Sequence, residues 1–184
     1  MKDKTLEMIE KLNNHLHASN IYLPVLEGFE IEHKVEIPNC IFIAKNNNGI
    51  IEQLFIDPSL KENESLEERI KKIQTETTNY IKTNNFETFI KHYKDYDNGI
   101  FSFKIYIRDI ILNNSLIREL DTYFVDNKYN DVYKLTLSYG PFNKENNLEL
   151  LSNNNGNDDL VTKKIANMLN VILENTKYNN ENNV

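Results

Sequence analysis

The sequence predicts an α+β fold in which an antiparallel β-sheet packs against amphipathic helices, and two observations carry that prediction. Between Asn85 and Tyr139 four successive segments, "NFETFIKHYK", "GIFSFKIYIRDI", "SLIRELDTYFVD" and "DVYKLTLSY", favour β-branched and aromatic residues with a period of two. The turn signals between them ("DNG", "NN", "NKYN") are too short for a parallel crossover, so the four make an antiparallel meander. Two other stretches, Ser65 to Asn84 and Asp158 to Asn175, repeat their apolar residues every three to four positions, as a helix with one buried face does.

Taken in order, "KTLEMIEKLNNHL" sets Leu6, Ile9, Leu12 and Leu16 on one stripe of a first helix. "IYLP" and "FEIEHKVEI" read as strands, the second ended by Pro38. "CIFIAK" and "IIEQLFI" form a hairpin across "NNNG", with Asn48 and Gly49 taking the positive φ angles of a tight turn. The Ser65 helix turns Leu66, Ile70, Ile73, Thr77, Tyr80 and Ile81 to one face, and Ser65 with Glu68 makes a capping box. In the meander Phe101, Phe103, Ile105 and Ile107 face a core, while Ser102, Lys104, Tyr106 and Arg108 face an amphipathic or wet side. "GPFNKENNLELLSNNNGND" is a loop or flap. The closing helix has an acidic first turn and buries Leu160, Ile165, Met168, Leu169, Ile172 and Leu173. Residues 1–176 form one α+β domain and residues 177–184 a polar, disordered tail.

The chain has 184 residues, 40% of them apolar, with 10 Tyr and 9 Phe, enough to bury a core without disulfides or a structural metal. A net charge of -7 repels phosphate backbones and anionic membrane surfaces, so nucleic acid is not an expected partner. No apolar run approaches the roughly 20 residues of a membrane-spanning helix, so membrane insertion is not expected either. The lone Cys40 excludes an internal disulfide and fits a reducing, cytoplasmic location, where the thiol serves as a small buried hydrophobe.

No catalytic residue, cofactor site or metal site is expected. His33 falls on the apolar side of its strand, but no orienting acceptor or second ligand stands at a usable spacing, and it reads as a packed boundary residue. His15 and His17 point to different helix faces, and His92 lies on a distant strand. "DYDNG" opens like a calcium loop, yet its glycine comes one residue early and the twelfth position is Tyr106 where a bidentate glutamate belongs, so turn chemistry explains it better. "NNNGNDD" fails in the same way, with Lys164 at its twelfth position. There is no nucleophile elbow and no phosphate-cradling glycine loop. Carboxylate pairs from Asp109, Glu119, Asp121 or Asp131 are what 28 acidic residues supply by chance.

The remaining signal is aromatic. Tyr93, Tyr96, Tyr106, Tyr123, Tyr133 and Tyr139 lie in the strand region, where a ring with a polar tip suits a binding surface. Tyr106, Arg108, Tyr133 and Tyr139 are the candidate partner-binding residues.

The order of elements, with "IYLPVLEGFEIE" at the opening, the Ser65 helix, then "FSFKIYI" and "VYKLTLSY", resembles the Mog1p/PsbP family, including its bacterial DcrB-like members, over residues 21–175. The first helix and the loop before the last helix depart from that pattern. The resemblance implies an α/β/α sandwich and a non-enzymatic protein-binding role, as adaptor, assembly factor or secretion chaperone, and it carries over no catalytic residues. The expected partner is a protein, and a free sheet edge leaves room for a homodimer. Two alternatives stand beside this one: an immunity protein whose acidic surface masks a basic toxin, and, from another class, a small hydrolase or ligand-binding enzyme with a pocket of convergent polar groups.

Overall fold

The computed structural model describes residues 21–32, 40–57, 63–128, 130–147 and 158–178. The elements are β1 (Ile21–Tyr22), β2 (Glu30–Glu32), β3 (Cys40–Lys45), β4 (Ile50–Asp57), α1 (Leu66–Thr83), β5 (Glu87–Asp97), β6 (Ser102–Leu112), β7 (Ser115–Asp126), β8 (Asp131–Asn143), α2 (Leu160–Asn175) and β9 (Lys177–Tyr178). One 3-10 turn, Glu145–Asn147, follows β8. The helix expected over Leu6–Leu16, and the part of the second strand that carries His33, lie outside the described residues.

Seven strands form one antiparallel sheet in the order β2-β3-β4-β8-β7-β6-β5, and β1 pairs with β9 separately. The meander β5 to β8 runs as its alternation predicts, and β4 then pairs with β8 over its whole length, Ile50 opposite Tyr139 and Asp57 opposite Val132. The β3–β4 hairpin forms too. Its turn is closed by the Asn46 side chain, which accepts from the amides of Asn48 at 3.0 Å and Ile50 at 2.9 Å. Only Gly49 there has a positive φ, 76°, and Asn48 does not need one.

The two faces of the sheet differ in chemistry. Phe103, Ile105, Ile107, Leu120, Phe124, Tyr133, Leu135, Leu137, Leu54 and Ile50 point to one side and form the apolar core with Val161, Ile165, Leu169, Ile172 and Leu173 of α2. Phe101, Phe103, Phe124 and Tyr133 interlock there with ring centroids 5.1–6.1 Å apart. Within this layer, between Ile50 and Leu54, Glu52 is fully buried and neither carboxylate oxygen has a partner among the described residues. Burial pushes its carboxyl up to about 8, so it is protonated at neutral pH.

The opposite face lies against α1. Ser65 caps this helix as its sequence predicts: its hydroxyl accepts from the Glu68 amide at 3.2 Å, and the Glu68 carboxylate accepts from the Ser65 amide at 2.8 Å. The inward stripe differs from the predicted one. Ile70 and Ile81 are buried, but Tyr80 is 73% exposed, and Arg69 is buried instead with its guanidinium on Glu64 at 2.6 and 3.0 Å. A stripe assigned by hydropathy alone passes over a long cation that can bury its stem beside a carboxylate. In α2 likewise Leu160 is 54% exposed, and the acids stand before the helix, Asp159 serving as its N-cap.

Two segments are more ordered than their composition suggests. Gly140 to Asn143, expected to begin a loop, continue β8, because a shift of register opposite Leu116 and Arg118 lets the chain pair onward with Leu116 and Ser115. Lys177 and Tyr178, expected to begin the polar tail, pair with Tyr22 and Ile21, and the Tyr178 ring packs on Phe101 at 4.8 Å. Cys40 is part-buried at the bulged end of β3, not enclosed.

Candidate interaction surface

Arg108 and Asp121 sit at the centre of the α1-facing side of the sheet, on β6 and β7. Both side chains are wholly excluded from solvent, with Arg108 Nε 3.5 Å from the Asp121 carboxylate. The Arg108 fork also donates to Thr78 of α1 at 3.0 Å and Thr88 of β5 at 3.1 Å, and reaches the Gln74 carbonyl at 3.5 Å. Asp121 accepts from Thr136 at 2.9 Å and lies 3.6 Å from Lys134. The network therefore ties helix to sheet.

Glu119 shares this face. Burial raises its carboxyl to about 7, the Asp121 carboxylate adds to the effect, and Lys134 and Arg108 oppose it. Tyr123 is enclosed beside them, its hydroxyl without a partner among the described residues and its pKa well raised by burial. Of the carboxylates that could have paired by chance, only Glu119 and Asp121 share this side. Asp109 faces the other way and takes two bonds, 2.7 and 2.8 Å, from Arg118, whose guanidinium also holds Asp159, the N-cap of α2, and Thr162 within it. Asp131 opens β8 opposite Asp126. Hollows of about 630, 520 and 550 Å³ are lined by the outer side of α1, the β1–β9 end, and the loops around Gly28 and Asn48, so none of the three opens on Glu119 and Asp121.

Nearer the free edge the same face reaches solvent. Tyr106 is part-buried there, meeting His92 edge-on at 5.4 Å and Tyr123 at 5.8 Å. Its hydroxyl makes no hydrogen bond to the described residues, and burial raises its pKa. Charged groups frame it: Lys104 reaches Glu67 of α1 at 3.2 Å and Asp95 at 3.6 Å, and His92 contacts Asp95 at 2.8 Å. The His92 hydrogen bond holds the Asp95 carboxyl below its usual range, and the bond to Glu67 raises Lys104. A part-buried aromatic ring thus stands inside a rim of charged groups.

The four residues singled out by sequence do not form one patch. Arg108 is buried under α1, and Tyr133 is buried in the opposite layer, stacked on Phe124 at 5.2 Å, so neither can touch a partner of the folded chain. Tyr139 is part-buried on the α2 side, with the Lys164 ammonium 4.9 Å above its ring. Only Tyr106 belongs to the α1-side rim. Hydropathy alternation set Tyr106 and Arg108 on the side away from the apolar core, where they lie, but it did not show that a helix covers Arg108 or that Tyr133 belongs to the core layer. Lys104, His92 and Asp95 were missed as parts of this rim, and the register of β5 on β6, with His92 opposite Tyr106 and Asp95 opposite Lys104, was the available signal.

His92 meets one carboxylate at the surface, and His33 lies outside the described residues. "DYDNG" acts as a turn: Asp97 accepts from the Gly99 amide and the Ser102 hydroxyl, and the Asn98 amide group bonds the carbonyls of Leu173 and Thr176. Among the described residues no group of three or more His, Cys, Asp or Glu side chains is placed to hold a metal ion, and no helix is long and apolar enough to cross a membrane.

No protein-family model and no curated protein sequence matches the chain. Its folded shape does match solved structures. The cyanobacterial PsbP (CyanoP) of Synechocystis sp. PCC 6803 superposes with a TM-score of 0.61 at 6% identity, covering 88% of either chain. The Ran-binding protein Mog1p of Saccharomyces cerevisiae superposes with a TM-score of 0.57 at 9% identity, covering 89% of this chain and 92% of that one. This chain has a Mog1p/PsbP-like fold. The Mog1p/PsbP-like likeness rests on arrangement and not on residues, as identities this low require: alternation and layer order persist while side chains change.

Proposed function

We propose that this chain is a non-enzymatic protein-binding module, an adaptor or secretion chaperone of the cytoplasm, that engages its partner beside α1 through the rim around Tyr106. The observation that carries this reading is Tyr106 itself, a part-buried ring whose hydroxyl makes no bond to the described residues and which is framed by Lys104, Glu67, Asp95 and His92. A Ran-binding protein of the same fold supports a protein partner by analogy of architecture. The test is affinity purification from the native host, followed by reconstitution with the purified partner. A stoichiometric protein whose binding weakens with Tyr106→Ala and Lys104→Glu supports the reading. A monomer that carries a small molecule and no protein overturns it and favours the enzyme class.

The net charge of -7 favours a second reading, an immunity protein that masks a cationic toxin. Association that weakens steeply with added salt distinguishes it from contact through an aromatic centre, which salt affects little.

A further inference from the structure

Among the described residues the outer side of β5 has no neighbouring strand. The segment Glu87–Lys91 is bounded at both ends. Asn85 just before it is in the left-handed region, φ 64°, and a bulge between His92 and Lys94 breaks the register just after it. Within those limits Glu87, Phe89 and Lys91 point to one side of the sheet, opposite Ile111, Asp109 and Ile107 of β6, and all three are exposed, Phe89 by 63%.

Edge strands are usually guarded against pairing by charges, bulges and shortness. Here the bulge guards the far half of β5, but the charges of the near half complement themselves. If two copies lay their β5 edges antiparallel about a two-fold axis through Phe89, Glu87 of each copy falls opposite Lys91 of the other, and the two Phe89 rings meet on the axis. Other centres lose this match. A centre at Thr88 sets Glu87 against Phe89, one at Ile90 sets Lys91 against Phe89, and one at Lys91 sets Glu87 against Asp95.

We infer that β5 is a homodimerisation edge: a second copy of this chain pairs with Glu87–Lys91, centred on Phe89, and joins the two sheets into one. An isologous contact of this kind needs the self-complementary patch observed. A five-residue pairing covers less surface than a permanent dimer does, so the association is weak and depends on concentration. This edge lies apart from the Tyr106 rim in its chemistry, since Phe89 and its neighbours face the α2 side, and the inference stands without the reading proposed above.

Sedimentation equilibrium of the full chain over rising concentration tests it. The expected result is a monomer–dimer equilibrium that Glu87→Lys or Lys91→Glu weakens about tenfold, since each replaces two attractive cross-strand pairs with two repulsive ones. The two variants mixed, or both changes in one chain, restore association to the original strength, because opposite charges again face each other. Both sites of change, Glu87 and Lys91, are exposed, and circular dichroism confirms that each variant folds. A monomer at every concentration overturns the inference, as does a dimer indifferent to these charges or one that the charge swap fails to restore.

Discussion

The guanidinium of Arg108 and the carboxylate of Asp121 are paired on adjacent strands with no solvent access to either, and the same guanidinium reaches Thr78 and Gln74 of α1. One side chain thus joins the sheet to the helix above it. Breaking a buried pair by removing one partner leaves an uncompensated charge, which costs about 3–5 kcal/mol. Arg108→Met should lower stability to urea by about that much, and Arg108→Lys should recover little of it, because an ammonium cannot span Asp121, Thr78 and Thr88 together. Replacing Arg108 and Asp121 together with apolar residues should cost less than either single change.

Glu52 predicts the pH dependence of stability. Its carboxyl titrates near 4.5 in the unfolded chain and near 8 in the folded one. Between those values the unfolded chain has released this proton and the folded chain still holds it, so stability falls as pH rises through that window. Glu52→Gln removes the titration. The variant should gain on the parent by a few kcal/mol between about pH 5 and pH 8, an order-of-magnitude figure. Urea denaturation of both proteins at several pH values measures it, and parallel curves would contradict it.

Gly140 has φ 127°, and a Cβ there would lie 2.6 Å from the Leu116 carbonyl oxygen and 3.1 Å from the Ile117 Cα. Both are backbone atoms of the neighbouring strand and cannot swing aside. Gly140→Ala should therefore cost about 2 kcal/mol or more. The thermal midpoint reports it, with Gly49→Ala as a comparison, since Gly49 shares a positive φ but has open space around it.

The Ser65 hydroxyl satisfies an amide at the start of α1 and the Glu68 carboxylate answers it. Ser65→Ala should lose about 1 kcal/mol, and Ser65→Asp should lose much less, since a carboxylate also accepts from free amides at a helix N-terminus. Chemical denaturation separates the two.

How far the sequence reveals this molecule depends on which physics acts at each residue. Alternation through Phe103, Ile105 and Ile107 located β6 and its buried side because period and burial are local properties. Ser65 and Glu68 announced the start of α1 for the same reason. Arg108 was misread because the residues that share its face of the strand, Ser102, Lys104 and Tyr106, are polar or carry a polar tip, while its partners, Thr78 and Asp121, arrive through tertiary packing. Tyr133 and Tyr106 look alike as strand tyrosines, and only the register across β6, β7 and β8 sends one under α2 and the other to the rim. Lys177 and Tyr178 looked like a tail until Ile21 and Tyr22 supplied a strand to pair with.

The most direct measurement is calorimetric titration of the purified protein partner into the wild-type chain and into Tyr106→Ala, with folding of both checked beforehand. A part-buried aromatic at the centre of a contact site should give about a tenfold or greater loss of affinity on truncation. Equal affinity for the two proteins would contradict a contact through the Tyr106 rim.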